Sequence, residues 1–208
     1  SLRAHKRRLF TTGFAIILGV AFMSGTLVLS DTLDRAVHGL ISDALVGVDA
    51  VVRSDNVQES NFGPAQRSPI PTSDLDAVRA VTGVRDAQGV VNGLPILFDK
   101  AGRAIGGSFG PPTIGTNWLD STAMPTATIR SGRAPAAAGE VMLDFATAQR
   151  EGYRRGDGVK VQTQAGIGEF TLVGIAGLGE EGDQSTGARI VVFDTATAQT
   201  QFGKVGSF

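Results

Sequence analysis

Val141-Met142-Leu143-Asp144-Phe145-Ala146-Thr147-Ala148-Gln149 is echoed fifty residues later by Val191-Val192-Phe193-Asp194-Thr195-Ala196-Thr197-Ala198-Gln199. Each copy opens on apolar residues, turns on an aspartate and continues into an alanine-rich run. The apolar opening reads as a short buried strand. The aspartate carries a carboxylate that accepts from free backbone amides, so Asp144 and Asp194 are expected to be structural helix caps. Nine-residue windows leave open whether the echo is a duplication or two uses of one strand-to-helix device. Between the copies, residues 159–164 and 170–176 read as strands, turned at Gly156-Asp157-Gly158 and Gly166 to Gly168. Strands mixed with short helices imply an α+β domain built on a mixed sheet.

Upstream of the echo the signals weaken. Residues 102–139 hold Gly106-Gly107, Pro111-Pro112, Pro125 and Pro135 with short apolar runs, which predicts loops and edge strands. Residues 84–99 alternate imperfectly around Gly89, Gly93 and Pro95, either as one bulged strand or as two short ones. Thr72 or Ser73 is placed to cap a helix whose body is residues 74–81, with Leu75, Val78 and Val81 inward and a stop near Gly83. Asp49-Ala50-Val51-Val52-Arg53 reads as a short strand, and the polar stretch after it, with Gly63, Pro64, Pro69 and Pro71, as loop.

The first third has a different character. Residues 9–30 contain no charged side chain, and 22 residues at about 1.5 Å each span the roughly 30 Å hydrocarbon layer. They read as a transmembrane helix, with the small pairs Ala15/Gly19 and Ala21/Gly25 suited to packing against another helix. Arg3, Lys6, Arg7 and Arg8 hold residues 1–8 in the cytoplasm, which puts residues 31–208 on the far side of the membrane. A cleaved signal peptide has a similar basic start, but its apolar region is shorter and ends in a small-x-small site that Thr26 to Asp31 lacks. Beyond the span, Leu33, Val37, Leu40, Ile41, Ala44, Leu45 and Val48 recur at three-and-four spacing. Residues 31–48 therefore read as an amphipathic helix, either a stalk continuous with the span or a core helix of the domain formed by residues 49–208.

Composition narrows the chemistry. With 208 residues, 42% hydrophobic and 19% charged, the chain is no disordered segment and holds one ordinary core. Past residue 30 it carries 15 basic and 20 acidic residues, a formal charge of −5, which argues against a nucleic-acid partner. It has no cysteine, so neither disulfides nor thiol chemistry enter. Its two histidines, His5 and His38, are too few for a histidine triad or a multi-histidine zinc site. The acidic loop Gly177 to Asp183 lacks calcium-loop spacing, and no phosphate-binding loop is present. Arg155-Gly156-Asp157 spells an adhesion tripeptide but sits where Gly-Asp has an ordinary turn role. Trp118 and Tyr153 read as packing residues. No catalytic, metal or cofactor-binding residue is therefore named, and no cofactor is expected.

One combination is more specific than its parts. A basic start with one span and a helical stalk precedes Ser131-Gly132-Arg133-Ala134-Pro135, then Gly139-Glu140-Val141-Met142-Leu143-Asp144, Gly152, Gly156-Asp157 and Val159-Lys160-Val161. This layout resembles the MacB-type and FtsX-type family of ABC transporter permeases, specifically the first membrane helix plus the MacB-like periplasmic core domain. The opening residues 2–9 and the Gly19-Val20-Ala21-Phe22 and Gly25-Thr26-Leu27 stretches look like actinobacterial members. The resemblance implies a plasma-membrane permease that dimerises with a second copy or a paralogue and binds a separate cytoplasmic ABC ATPase. Its stalks would transmit ATP-driven movement through the lipid bilayer to an extracytoplasmic cargo or a cell-wall enzyme. On that reading the chain is itself no enzyme, its core domain is incomplete at the C-terminus, and three further membrane helices are expected after residue 208. The working residues are Leu33, Val37, Leu40 and Ile41 for stalk coupling and Ala15, Gly19, Ala21 and Gly25 for packing in the membrane. The alternative is a single-pass anchored binding or sensing module without an ATPase.

Overall fold

In the computed structural model, which describes residues 10, 13–28, 30, 48–58, 66–106, 112–120, 127–177 and 188–208, the two echoed segments adopt one shape. Strand β7 (Glu140–Asp144) runs into helix α3 (Phe145–Glu151), and β10 (Arg189–Phe193) into α4 (Thr195–Gln201). Asp144 and Asp194 sit at the N-caps with nearly the same backbone, φ −65°, ψ 150° and φ −66°, ψ 158°. Each accepts from the amide three residues on, Thr147 at 2.8 Å and Thr197 at 3.0 Å. The two strands are antiparallel neighbours, with Val191 opposite Leu143 and Val192 opposite Met142.

The remaining strands assemble around this pair. They are β3 (Asn92–Gly93), β4 (Ile96–Leu97), β5 (Thr113–Asn117), β6 (Thr128–Gly132), β8 (Gly158–Thr163) and β9 (Gly166–Gly177). The order is β3-β5-β10-β7-β9-β8-β4, with β6 on β9, and the β5/β10 and β7/β9 ladders are parallel in an otherwise antiparallel sheet. Strands β3 and β4 lie at opposite ends of that order, yet only Leu94 and Pro95 separate them in sequence. The sheet must therefore curl until its ends approach. Val91, Leu97, Val141, Leu143, Val159, Val161, Leu172, Val191 and Phe193 fill the principal core, each fully buried, and Ala148 and Ala198 bring both helices onto it. Phe193 stands edge-on to Phe170 and Phe202, at 5.2 and 5.8 Å between centroids. A smaller cluster of Met142, Ala176 and Val192 is flanked by Trp118 and Ile190.

Several expectations need correction. Thr113–Asn117 lies in the stretch read as loops and edge strands, but it is an interior strand between β3 and β10. Its alternation is buried at Thr113, Gly115 and Asn117. Residues 49–53 form no strand: Val51 and Val52 are 51% and 58% exposed and meet no partner. The first ladder comes later, where β1 (Val57–Gln58) pairs with β2 (Gln66–Arg67) inside the stretch read as loop. Helix α2 (Thr72–Arg79) is capped by Pro71 without a side-chain bond, not by Thr72 or Ser73. Leu75 and Val78 are half-buried and Val81 is exposed. Residues 84–99 need no correction: of the two readings given for them, the structure has the two short strands, β3 and β4.

Packing divides the chain into residues 1–44 and 45–208. In the first unit, residues 13–28 are the described part of helix α1, and every large apolar side chain on it is at least 58% exposed. No helix among the described residues is long and apolar enough to cross a membrane.

Candidate functional site

The Gly132-Arg133 and Gly156-Asp157 elements, 24 residues apart, converge on residues 171–174 of β9. Strand β9 changes neighbours here. Strand β8 pairs with it as far as Thr171, β6 takes over at Gly174, and the β7 ladder on its other edge shifts register between Val141 and Met142. Gly156 donates to the Leu172 carbonyl at 2.8 Å and Leu172 donates to the Asp157 carbonyl at 2.9 Å, which fills the gap between the two ladders. Arg133 donates its amide to the Val173 carbonyl at 3.2 Å. Gly132, at φ +82°, lies so close that an added Cβ would collide with that same carbonyl, and one at Gly174 would strike the Arg133 carbonyl. Two glycines facing each other across the ladder are what allow β6 to close on β9.

The charged members brace this corner. The Arg133 guanidinium forks onto both Glu140 oxygens, and the same carboxylate accepts from the Ala136 amide at 3.0 Å, pinning the loop between β6 and β7. The Arg133 guanidinium, and then the backbone amide, hold Glu140 down at about 2, well below its ordinary 4.5. Asp157 is likewise lowered, chiefly by Lys100 at 2.6 Å and next by the Arg154 amide. Lys100 also sits 5.6 Å over the Tyr153 ring, whose hydroxyl donates to the Phe98 carbonyl at 2.5 Å and whose acidity is weakened by burial. A groove of about 570 Å³ lies alongside, lined by Gly132, Arg133, Arg155, Gly156, Thr171, Leu172 and Val173. Arg133 is already engaged by Glu140, and the lining holds no nucleophile paired with a base. These residues hold strands in place.

Residues 9–207 match the MacB-like periplasmic core domain. The chain belongs to that family. MacB-like core domains are extracytoplasmic parts of permeases of the MacB/FtsX type, components of transporters. Among solved structures, the chain is similar to the periplasmic region of MacB from Actinobacillus actinomycetemcomitans, at TM-score 0.48 and 12% identity. That match covers 67% of this chain and 61% of the other, so the chain spans less than two thirds of the structure it matches. No curated protein matches the sequence.

The residues singled out earlier fall in three groups in this MacB-like domain and the segment before it. Asp144 and Asp194 cap α3 and α4. Ala15, Gly19, Ala21 and Gly25 all lie on the described part of α1, where a Cβ added at Gly19 or Gly25 meets nothing within 4 Å. Six residues separate the pairs, which turns Ala21/Gly25 about 120° around the helix from Ala15/Gly19, so the two pairs face different neighbours. Leu33, Val37, Leu40 and Ile41 lie outside the described residues, as do His5, His38 and the acidic loop beyond Gly177. Among the described residues no cluster of three metal-ligating side chains occurs.

Asn117 carried no signal in the sequence. It is 3% exposed, accepts from the Val91 amide at 2.8 Å, and donates to the Gly89 carbonyl and the Thr195 hydroxyl at 3.0 and 3.1 Å. It ties the irregular segment before β3 to the start of α4. The alternation of Thr113, Gly115 and Asn117 was the one available hint, and those residue types mask it.

Proposed function

We propose that this chain is the N-terminal part of an ABC transporter permease subunit that couples ATP hydrolysis by a cytoplasmic partner to movement of its core domain outside the membrane. Family membership carries the reading. Helix α1 supports it, because large apolar side chains that are at least 58% exposed among the described residues suit lipid or another membrane helix. Thr26 returns its hydroxyl to the Phe22 carbonyl at 2.9 Å, the local bond that satisfies a hydroxyl away from water. In this reading residues 9–30 span the plasma membrane, residues 1–8 face the cytoplasm, and Ala15, Gly19, Ala21 and Gly25 contact further helices. Leu33, Val37, Leu40 and Ile41 form a coupling face on the stalk, turned toward a second permease copy or paralogue. The domain carries no cofactor, and its output goes to cargo or to a cell-wall enzyme.

Two measurements test this. The parent reading frame past the codon for Phe208 is expected to encode three further apolar spans of about 20 residues each. An immediate stop codon would instead leave a single-pass anchored module. In the reconstituted permease, Val37→Asp and Ile41→Asp are expected to uncouple ATP hydrolysis from transport while the core domain keeps its folded spectrum. Normal coupling in both variants would remove the stalk from the mechanism.

A further inference from the structure

The last three residues form a ladder with the segment that enters helix α2. Ile70 and Phe208 exchange both backbone bonds, at 2.7 and 2.8 Å, Pro71 bridges Ser207, and Thr72 donates to the Gly206 carbonyl at 2.9 Å. Among the described residues, these backbone bonds tie residues 48–58 and 66–72 to the sheet-bearing remainder. Helix α2, just beyond, has no buried residue and adds little grip of its own. The short strand is held from behind. Gln199 donates to the Ser207 carbonyl at 2.9 Å, and the Phe208 ring occupies the space above Gly89, where any side chain would collide with it.

The direction of the ladder matters more than its length. The strands are antiparallel with Ile70 opposite Phe208, so the chain arriving before Ile70 and the chain at Phe208 lie at the same end. Hydrogen bonds in such a ladder run perpendicular to the strands. A force that separates the arriving and departing chain therefore pulls along the bonds and breaks the Ile70/Phe208 pair first, then the Thr72 bond. Pulling along the strands would load all of them together.

We propose that the ladder of Ile70–Thr72 with Gly206–Phe208 is a zipper-type latch, which opens when the chain segments on its two sides are drawn apart and so frees residues 48–58 and 66–72 from the sheet. This rests on the permease reading, in which those segments lead to membrane helices that move during ATP turnover. The latch supplies a discrete joint between that movement and the core domain.

Pro71 and Ser207 are a non-hydrogen-bonded antiparallel pair, a type whose Cα atoms typically stand about 4.5 Å apart. That falls inside the roughly 4.4–6.8 Å range a disulfide needs. Residues 1–208 are free of cysteine, so Pro71→Cys/Ser207→Cys adds one pair within them, and any cysteine elsewhere in the parent permease is first replaced by serine. The permease is reconstituted with its ATPase partner, and permease-stimulated ATP hydrolysis is read as phosphate released. The oxidised double variant is expected to lose at least tenfold of that stimulation and to regain it with dithiothreitol, while each single variant stays active. A second measurement covers the case in which the double variant fails to fold: amide exchange at Ile70, Thr72 and Phe208 in the unmodified permease is expected to rise at least tenfold during turnover, with the β7 and β10 amides unchanged. Full stimulation in the cross-linked protein, or exchange that turnover does not alter, overturns the latch. An unmodified permease that never stimulates its partner overturns the permease reading, and the latch with it.

Discussion

The β7–α3 and β10–α4 units share nine positions of pattern, the same cap and the same backbone at the start of the helix, and then part company. In the first, Asp144 is 3% exposed and uses both oxygens: one caps α3, the other accepts from the Ile190 amide of β10 at 2.8 Å. In the second, Asp194 caps α4 with one oxygen while Oδ2 has no partner among the described residues. The ends differ as well. Both helices have seven residues, but α3 is capped by Gly152 at φ +69° with buried Tyr153 following, whereas α4 is capped by buried Phe202 with Gly203 at φ +65° following. Glycine-then-aromatic in one copy is aromatic-then-glycine in the other. The helices end at equivalent residues and the left-handed glycine shifts by one: Phe202 fills space left by Gly93 and Gly115, while Tyr153 reaches the Phe98 carbonyl on another side of the core. A common start signal thus yields two different attachments, set by what each helix meets at its far end.

The contrast is open to measurement by denaturant unfolding of the same protein. Phe202→Ala empties a site bounded by two glycines that cannot fill it and is expected to cost about 4 kcal/mol. Asp144→Ala removes a cap and strands the Ile190 amide, for about 3 kcal/mol. Asp194→Ala removes only a cap, about 1 kcal/mol, and Tyr153→Phe one hydrogen bond, also about 1 kcal/mol. Equal losses at Asp144 and Asp194 would erase the distinction between the units. The smallest effect lies at the brace beside them. Glu140 is held near 2 in the fold against an ordinary 4.5, so its contribution is complete above about pH 4.5 and is lost as pH falls toward 2. Glu140→Gln is expected to lower stability above about pH 4.5, to leave it nearly unchanged near pH 2, and so to flatten the acid limb of the profile.

Legibility in the sequence followed the range of the interaction. The echoed units were readable because a cap, an apolar strand and an alanine helix are local devices whose partners lie within a few residues. Thr113–Asn117 was not, since Gly115 and Asn117 are poor strand formers and the segment follows Pro111-Pro112. What makes that segment a strand is its in-register parallel ladder with β10, 76 residues away, and the room Gly115 leaves for the Phe202 ring. Residues 49–53 show the converse, β-branched chemistry with no neighbouring edge to use it. The Arg133, Glu140, Gly156 and Asp157 cluster was visible as a pattern that resembles the family, but its purpose was not. That purpose is to seat three strands on one, and only the ladder register reveals it.

The place of β10 in the strand order sets a timetable. Among the described residues it is the last strand of this sheet in sequence, yet it lies between β5 and β7 and joins the β3–β5 half to the β7–β9–β8–β4 half. Until residues 189–193 are available, each half presents a bare inner edge, and neither Val191 nor Phe193 is there to complete the core. A chain made N-terminus first therefore carries its sheet in two pieces until a single late insertion closes it. Closure of the described sheet waits on residues 189–193.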